Sequence, residues 1–285
     1  MAEQLTISNS VITAIISTKG AELKSVVKDG EQIIWEGNPD IWSGQAPLLF
    51  PICGGLKDDK YIFEGKEYAL QKHGYARVSE FEVESAEQSS ATFILRSNEE
   101  TKKQFPFDYE LRVTYTLVDN KIEVRYSVKN TGNGDMYFSI GAHEGYACPE
   151  GIEEYSLVFD ENENFTCNIL DGNLLEYNTY SVGEGKELPL KYEFFNIDAL
   201  TFLNLKSRGV NLVHRQSGKH LRVEFEGFDY LFVWTKPKAF ANYICIEPWC
   251  GIPDFVDSDY EITKKRGIVK LESNAEKVLK HKIIL

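Results

Sequence analysis

Glu247 closes an apolar run, Tyr243-Ile244-Cys245-Ile246, and Pro248 and Trp249 follow at once. The run is short, β-branched and bounded by proline, so it reads as a buried strand. Side chains alternate along a strand, which puts Glu247 on the face that carries Tyr243 and Cys245. A carboxylate placed there loses its water, and its pKa rises above the ordinary value of about 4.3. Pro248 has no N–H to give, so the ladder is expected to end there and leave Glu247 at a strand end facing a cavity. Such a group suits general base work. The plainer alternative is a carboxylate paired with an arginine or capping a turn. His143 ends an apolar run and, alone, reads as a satisfied buried imidazole. His73, between Lys72 and Gly74, reads as a turn histidine. His73, His143 and Glu247 supply the residue types of a two-histidine, one-carboxylate metal site, but not the H-x-H or helical spacing that would strengthen it. Arg77 passes as a surface charge and Asp198 as a turn residue. Trp249, beside a proline, reads as packing. His214, His220 and His281 read as structural or exposed.

The elements that must position these groups are strands. Strand signals fall at residues 5–8, 11–17, 21–28 and 32–36, and at 61–63 and 66–68 around a Glu64-Gly65 hairpin turn. They continue at 79–85, 90–97, 109–118 and 121–130, the last two joined at Asp119-Asn120. Further runs lie at 136–142, 154–159, 164–169, 200–204, 211–214, 220–225, 230–235, 243–247, 268–271 and 278–285. Residues 171–190 are polar and contain glycine, and are expected to form a surface excursion. One helical turn is expected near residues 97–103. No sustained helical period, repeat or low-complexity linker interrupts the chain. Residues 1–285 therefore read as one large all-β sandwich domain.

Composition narrows the function classes. Lys and Arg number 31 against 44 Asp and Glu, a formal net charge of −13, which argues against a nucleic-acid-binding face. The N-terminal residues lack the basic and apolar regions of a secretory signal, and no apolar run is long enough to cross a bilayer. The 5 cysteines, at positions 53, 148, 167, 245 and 250, are odd in number and show no C-x-x-C spacing. They read as reduced thiols, mostly in the core, of a cytoplasmic protein.

Three segments together carry more than any one residue. They are Lys72-His73-Gly74-Tyr75-Ala76-Arg77, Phe138-Ser139-Ile140-Gly141-Ala142-His143-Glu144-Gly145-Tyr146-Ala147-Cys148-Pro149 and Ile244-Cys245-Ile246-Glu247-Pro248-Trp249. With Pro47-Leu48-Leu49-Phe50-Pro51, Asp198-Ala199-Leu200-Thr201-Phe202 and the segment from Phe225 to Trp234, they resemble the aldose 1-epimerase (galactose mutarotase-like) family, in its bacterial LacX-type branch. The resemblance implies a β-supersandwich of stacked, mostly antiparallel sheets. It also implies an isomerase that exchanges the anomers of a hexose without metal or organic cofactor. It places the base on Glu247 and the acid on His143, with sugar contacts at His73, Arg77 and Asp198 and an aromatic wall at Trp249. The expected partner is a small sugar.

Two departures stand out. Glu144 follows His143 where relatives carry proline, and on a regular strand it points to the opposite face. Gly54-Gly55-Leu56-Lys57 occupies the place where many relatives carry a sugar-binding arginine, and Lys57, Lys60 and Lys72 are candidate substitutes. Two alternatives follow. One is a hexose-6-phosphate 1-epimerase, which needs a cationic anchor. The other is a non-catalytic carbohydrate-binding protein, since a fold does not fix a function.

Overall fold

A computed structural model describes residues 2–285. The chain is built almost wholly from antiparallel strands, as the alternation of apolar and polar residues dictates. The pattern is clearest in Tyr109–Val118 and Lys121–Asn130, where buried residues recur at every second position. These two strands pair from Lys121↔Val118 to Asn130↔Tyr109 across the Asp119-Asn120 turn, with Asp119 at φ 52°.

They lie in a nine-stranded sheet. Its order is Leu174–Pro189, Tyr155–Asp171, Gly209–His214, His220–Glu224, Glu276–Ile284, Lys121–Asn130, Tyr109–Val118, Ser90–Arg96 and Glu82–Ala86. A five-stranded sheet stacks on it. At its centre Tyr243–Cys250 is flanked by Tyr230–Trp234, and on the other side by Ile140–Gly141 and Glu144–Ala147. Leu200–Phe202 closes the far edge. Gln4–Ser8, Ile12–Ser17, Leu23–Lys28 and Glu31–Gln32 form a four-stranded sheet whose buried residues join the same core. One continuous hydrophobic cluster fills the space between the layers. All residues of Tyr243–Cys250 are buried, as a central strand covered on both faces requires. The expected helical turn is Glu99–Lys102, capped by the Asn98 side chain.

Two expectations about elements are corrected. Residues 171–190 are not an excursion: Leu174–Pro189 is a long edge strand of the nine-stranded sheet, paired with an equally continuous Tyr155–Asp171. Pro248 does not end the ladder either. The strand runs on to Cys250, with Pro248 opposite Leu231 on one side and accepting a hydrogen bond from Ala142 N–H through its carbonyl on the other. Only the missing Pro248 N–H is felt, as the gap between Ile140–Gly141 and Glu144–Ala147.

Candidate active site

Backbone hydrogen bonds bring the motif segments of the sequence together. Leu49 and Gly141 exchange N–H···O bonds, and Ser139 N–H donates to Pro51 O. Phe50 O accepts from both Tyr75 and Ala76 N–H. That approach demands glycine at position 74, where a Cβ would stand 2.3 Å from Phe50 O and the φ is +66°. The segment 47–51 thus clamps 72–77 against the edge of the five-stranded sheet.

The register explains the Gly-x-His-x-Gly spacing. Gly141 faces Trp249, and Gly145 faces Cys245, so the same register sets His143 directly opposite Glu247. A Cβ at Gly141 would meet Trp249 Cδ1 at 2.6 Å, and one at Gly145 would meet the Trp42 ring at 2.9 Å. The two glycines make room for the indoles that flank the histidine. From the other neighbouring strand, Phe232 lies opposite Glu247 and Trp234 opposite Cys245. Trp249 stacks on Phe232 at 3.8 Å between centroids.

His143 Nε2 and Glu247 Oε2 are 3.3 Å apart. Both side chains are nearly sealed, at 11% and 2% exposure, yet both line one cleft of about 380 Å³. That volume falls within the ordinary range for small-molecule sites, about 300–1,000 Å³. The cleft also takes in His73, Arg77, Asp198 and Trp249, so the sequence-derived set converges on a single hollow. Burial pushes the Glu247 carboxyl well above its usual range; the Lys72 charge pulls it back, while Asp198 and Glu144 add to the rise. Burial holds His143 down to about 3.

His73 sits in the left-handed region at φ 67°, a strained place for a non-glycine residue. A reciprocal clasp holds it there: His73 N–H donates to Gly54 O, and Gly54 N–H donates to His73 Nδ1 at 3.1 Å. Nδ1 accepts, so the ring proton of the neutral imidazole is on Nε2. Burial keeps the ring neutral, helped by the charges of Lys72 and Arg77. Gly54, at φ +73°, packs its Cα against Pro253, and a Cβ there would lie 2.3 Å from the proline ring. An arginine at position 54 would have to displace that ring. Of the three candidate substitutes, Lys72 lines the cleft. Lys57 is drawn away to Ser258 O, and Lys60 pairs with Glu67.

Sequence reasoning missed Trp42, Phe232, Trp234, Asn173 and Lys236, all of which line the cleft. Phe232 and Trp234 were findable, since they alternate along one strand. Trp42 lies outside any strand and carries no local signal. The metal reading is also corrected. Among the described residues, the donors that gather within 4.8 Å are those of His143, Cys245 and Glu247, not of His73. Glu144 does point away from the cleft, to His281 at 3.1 Å in the nine-stranded sheet. All five cysteines are buried and unpaired.

Residues 3–274 match the family profile described as Aldose 1-epimerase. The chain belongs to the aldose 1-epimerase family. It is 35% identical to the plasmid-encoded protein LacX of Lactococcus lactis subsp. lactis, over 93% of each chain. It superposes on a galactose mutarotase related enzyme from Lactobacillus acidophilus with a TM-score of 0.95 at 34% identity, covering 99% of this chain and 97% of that one. A galactose mutarotase-like protein from Lactobacillus casei gives a TM-score of 0.94 at 29% identity, with 99% of each chain covered. Membership of the aldose 1-epimerase family makes this an isomerase-type enzyme acting on sugars, of the LacX-like branch. No helix among the described residues is long and apolar enough to cross a membrane.

Proposed function

We propose that the protein interconverts the α and β anomers of a free hexose, with Glu247 as base and His143 as acid. Glu247 takes the proton of the anomeric hydroxyl while His143 gives one to the ring oxygen. The ring opens to an aldehyde, the bond beside the carbonyl turns, and closure returns both protons. One observation carries this reading: an imidazole and a carboxylate stand opposite each other, 3.3 Å apart, and line one cleft.

The electrostatics support it. Ring opening converts a carboxylate and an imidazolium into a carboxylic acid and a neutral imidazole. Burial favours the neutral partner at both positions. The resting site therefore holds the protonation state of the open-chain form, and passing one proton from Glu247 to His143 across their 3.3 Å gap gives the charged pair that starts ring opening. His73 Nε2–H offers a donor and Asp198 an acceptor for sugar hydroxyls, and the stacked Phe232 and Trp249 rings offer an apolar wall. The chemistry asks for no metal and no organic cofactor. Buried, unpaired cysteines fit a reducing compartment such as the cytoplasm.

A second reading has its own observation. Lys72, Arg77 and Lys236 line the cleft, and none forms an ion pair among the described residues. Such a rim suits a sugar carrying a phosphate, as in a hexose-6-phosphate 1-epimerase. Magnetisation-exchange NMR on glucose, galactose and their 6-phosphates decides between the two. Faster exchange of the free sugars is expected, and a preference of many fold for the phosphates would transfer the assignment. If Glu247→Gln leaves exchange untouched, the protein is a sugar binder rather than an epimerase.

A further inference from the structure

Cys245 takes no part in the proton transfers and does not line the cleft, yet it lies directly beside both groups that do. It faces the same side of its strand as Glu247, and its sulfur, a His143 ring nitrogen and a Glu247 carboxylate oxygen all lie within 4.8 Å of one another. We propose that these three side chains form a capture site for a borderline divalent metal ion, with Zn²⁺ as the type ion, and that its binding shuts the enzyme off.

The donor set is one imidazole, one thiolate and one carboxylate, which is the ligand chemistry zinc takes. Ligands about 2.1 Å from a tetrahedral zinc stand about 3.4 Å from each other. The His143–Glu247 separation, 3.3 Å, already matches such an edge. Cys245 must close in by roughly an ångström to complete the face, well within a change of side-chain torsion. Gly145, its cross-strand neighbour, puts no side chain in the way.

Charge favours the capture. All three residues are buried, and Cys245 packs among Tyr243, Trp42 and Trp234. A lone thiolate or carboxylate is costly there. Zn²⁺ with one of each is neutral, so the metal removes the penalty of both. Three protein ligands leave a fourth position, and the cleft side is where water or a sugar hydroxyl would fill it. The metal occupies the lone pairs that the acid and the base use, so it competes with the reaction rather than assisting it. Only this competitive element rests on the epimerase reading; the binding itself does not.

The test uses the full chain stripped with chelator. Equilibrium dialysis against Zn²⁺ with metal analysis should give one ion per chain, and anomer exchange should stop and return on chelation. The Co²⁺ form should show a thiolate-to-metal charge-transfer band together with tetrahedral visible bands. Cys245→Ala should weaken Zn²⁺ binding by about 100-fold, the upper end of what even an outer-shell loss costs. Its exchange rate in chelator-treated buffer should be unchanged. No Zn²⁺ uptake by the folded protein overturns the proposal, as does uptake that is indifferent to Cys245→Ala. Should that variant not fold, the Co²⁺ band of the native chain decides, and its absence sinks the site. A thiolate band on a chain that exchanges no sugar would keep the metal site and remove the epimerase reading instead.

Discussion

The molecule holds two buried histidine–glutamate pairs of almost the same geometry, on opposite faces of one sheet. His143 and Glu247 stand 3.3 Å apart between neighbouring strands, while His281 and Glu144 stand 3.1 Å apart across the core, joining the five-stranded sheet to the nine-stranded one. Glu144 is the next residue after His143, so a single peptide step separates the two settings. The first pair lines a cleft with indole walls and Asp198 within reach. The second is sealed: His281 has no exposure, Tyr126 stacks on its ring at 5.7 Å, and neither His281 Nε2 nor one oxygen of Glu144 makes a hydrogen bond. Residue type and distance are therefore shared, and what differs is access. Of the two pairs, only His143 and Glu247 stand where a third molecule can reach both members from a cleft. Sealed between sheets, the same pair is a structural cross-link that carries the burial cost of both groups.

The largest effects should separate the two pairs by readout. Glu247→Gln, and independently His143→Gln, should lower the anomer exchange rate by about 10²–10⁴-fold, the usual span for a lost acid or base. Thermal unfolding should show both variants folded. Loss of exchange in Glu144→Gln of the same size would erase the distinction. The sealed pair should speak through stability. Glu144→Leu alone strands His281 in the core and should cost about 3–5 kcal/mol in urea unfolding. Joining it with His281→Phe should recover that loss, ending between neutral and about 4 kcal/mol more stable than the parent. A double variant no better than the single one would mean that the pair contributes more than it costs.

Much of this contrast was legible in the sequence, and the rest was hidden for physical reasons. Alternation fixed Tyr109–Val118 and Lys121–Asn130 to the residue, because one face of each meets the core. The same rule sent Glu144 and His143 to opposite sides. Alternation fails in Leu174–Pro189, an edge strand whose residues are mostly exposed on both faces, with Gly183, Gly185 and repeated register shifts. Pro248 misled because its carbonyl and flanking pairs suffice to continue a strand that its missing N–H interrupts on one side only. The partner of Glu144 lay far off in the chain, and no local pattern points from one to the other. The motif residues of the cleft were readable only as an ordered set, whereas Trp42 reached the site through tertiary packing alone.

A smaller effect tests how the open pair is supplied with substrate. Asp198 lines the cleft and uses one oxygen on Ala199 N–H at 2.8 Å. Asp198→Asn keeps the shape and removes the charge that strengthens a hydroxyl's hydrogen bond. Hydrogen bonds to charged groups are worth about 1.5–3 kcal/mol, so KM should rise by about 10–150-fold with little change in kcat. A fall in kcat at constant KM would move Asp198 from holding the sugar to the chemical step.

The gentlest effect is a slope, and it belongs to the open pair. Unfolded, His143 regains its usual pKa of 6.5 and Glu247 its 4.5, whereas the fold holds the first down to about 3 and the second well above its usual range. Between pH about 3 and 6.5 the unfolded chain carries a histidine proton that the native site lacks, so stability rises with pH. Above about 4.5 the native site keeps a Glu247 proton that the unfolded chain has lost, so that contribution falls until the buried carboxyl ionises. The two slopes, each about 1.4 kcal/mol per pH unit, cancel between 4.5 and 6.5, and only the fall remains above. Glu247→Gln removes the fall. Its stability relative to the parent should therefore grow with pH from about 4.5 upward, measurable as a widening gap in urea midpoint. A saturating sugar gives the carboxylate hydroxyl partners in place of lost water and should narrow the same gap in the parent. A gap that stays constant with pH would place the Glu247 carboxylate in contact with water, and the difference from the sealed pair would then lie in neighbours rather than in access.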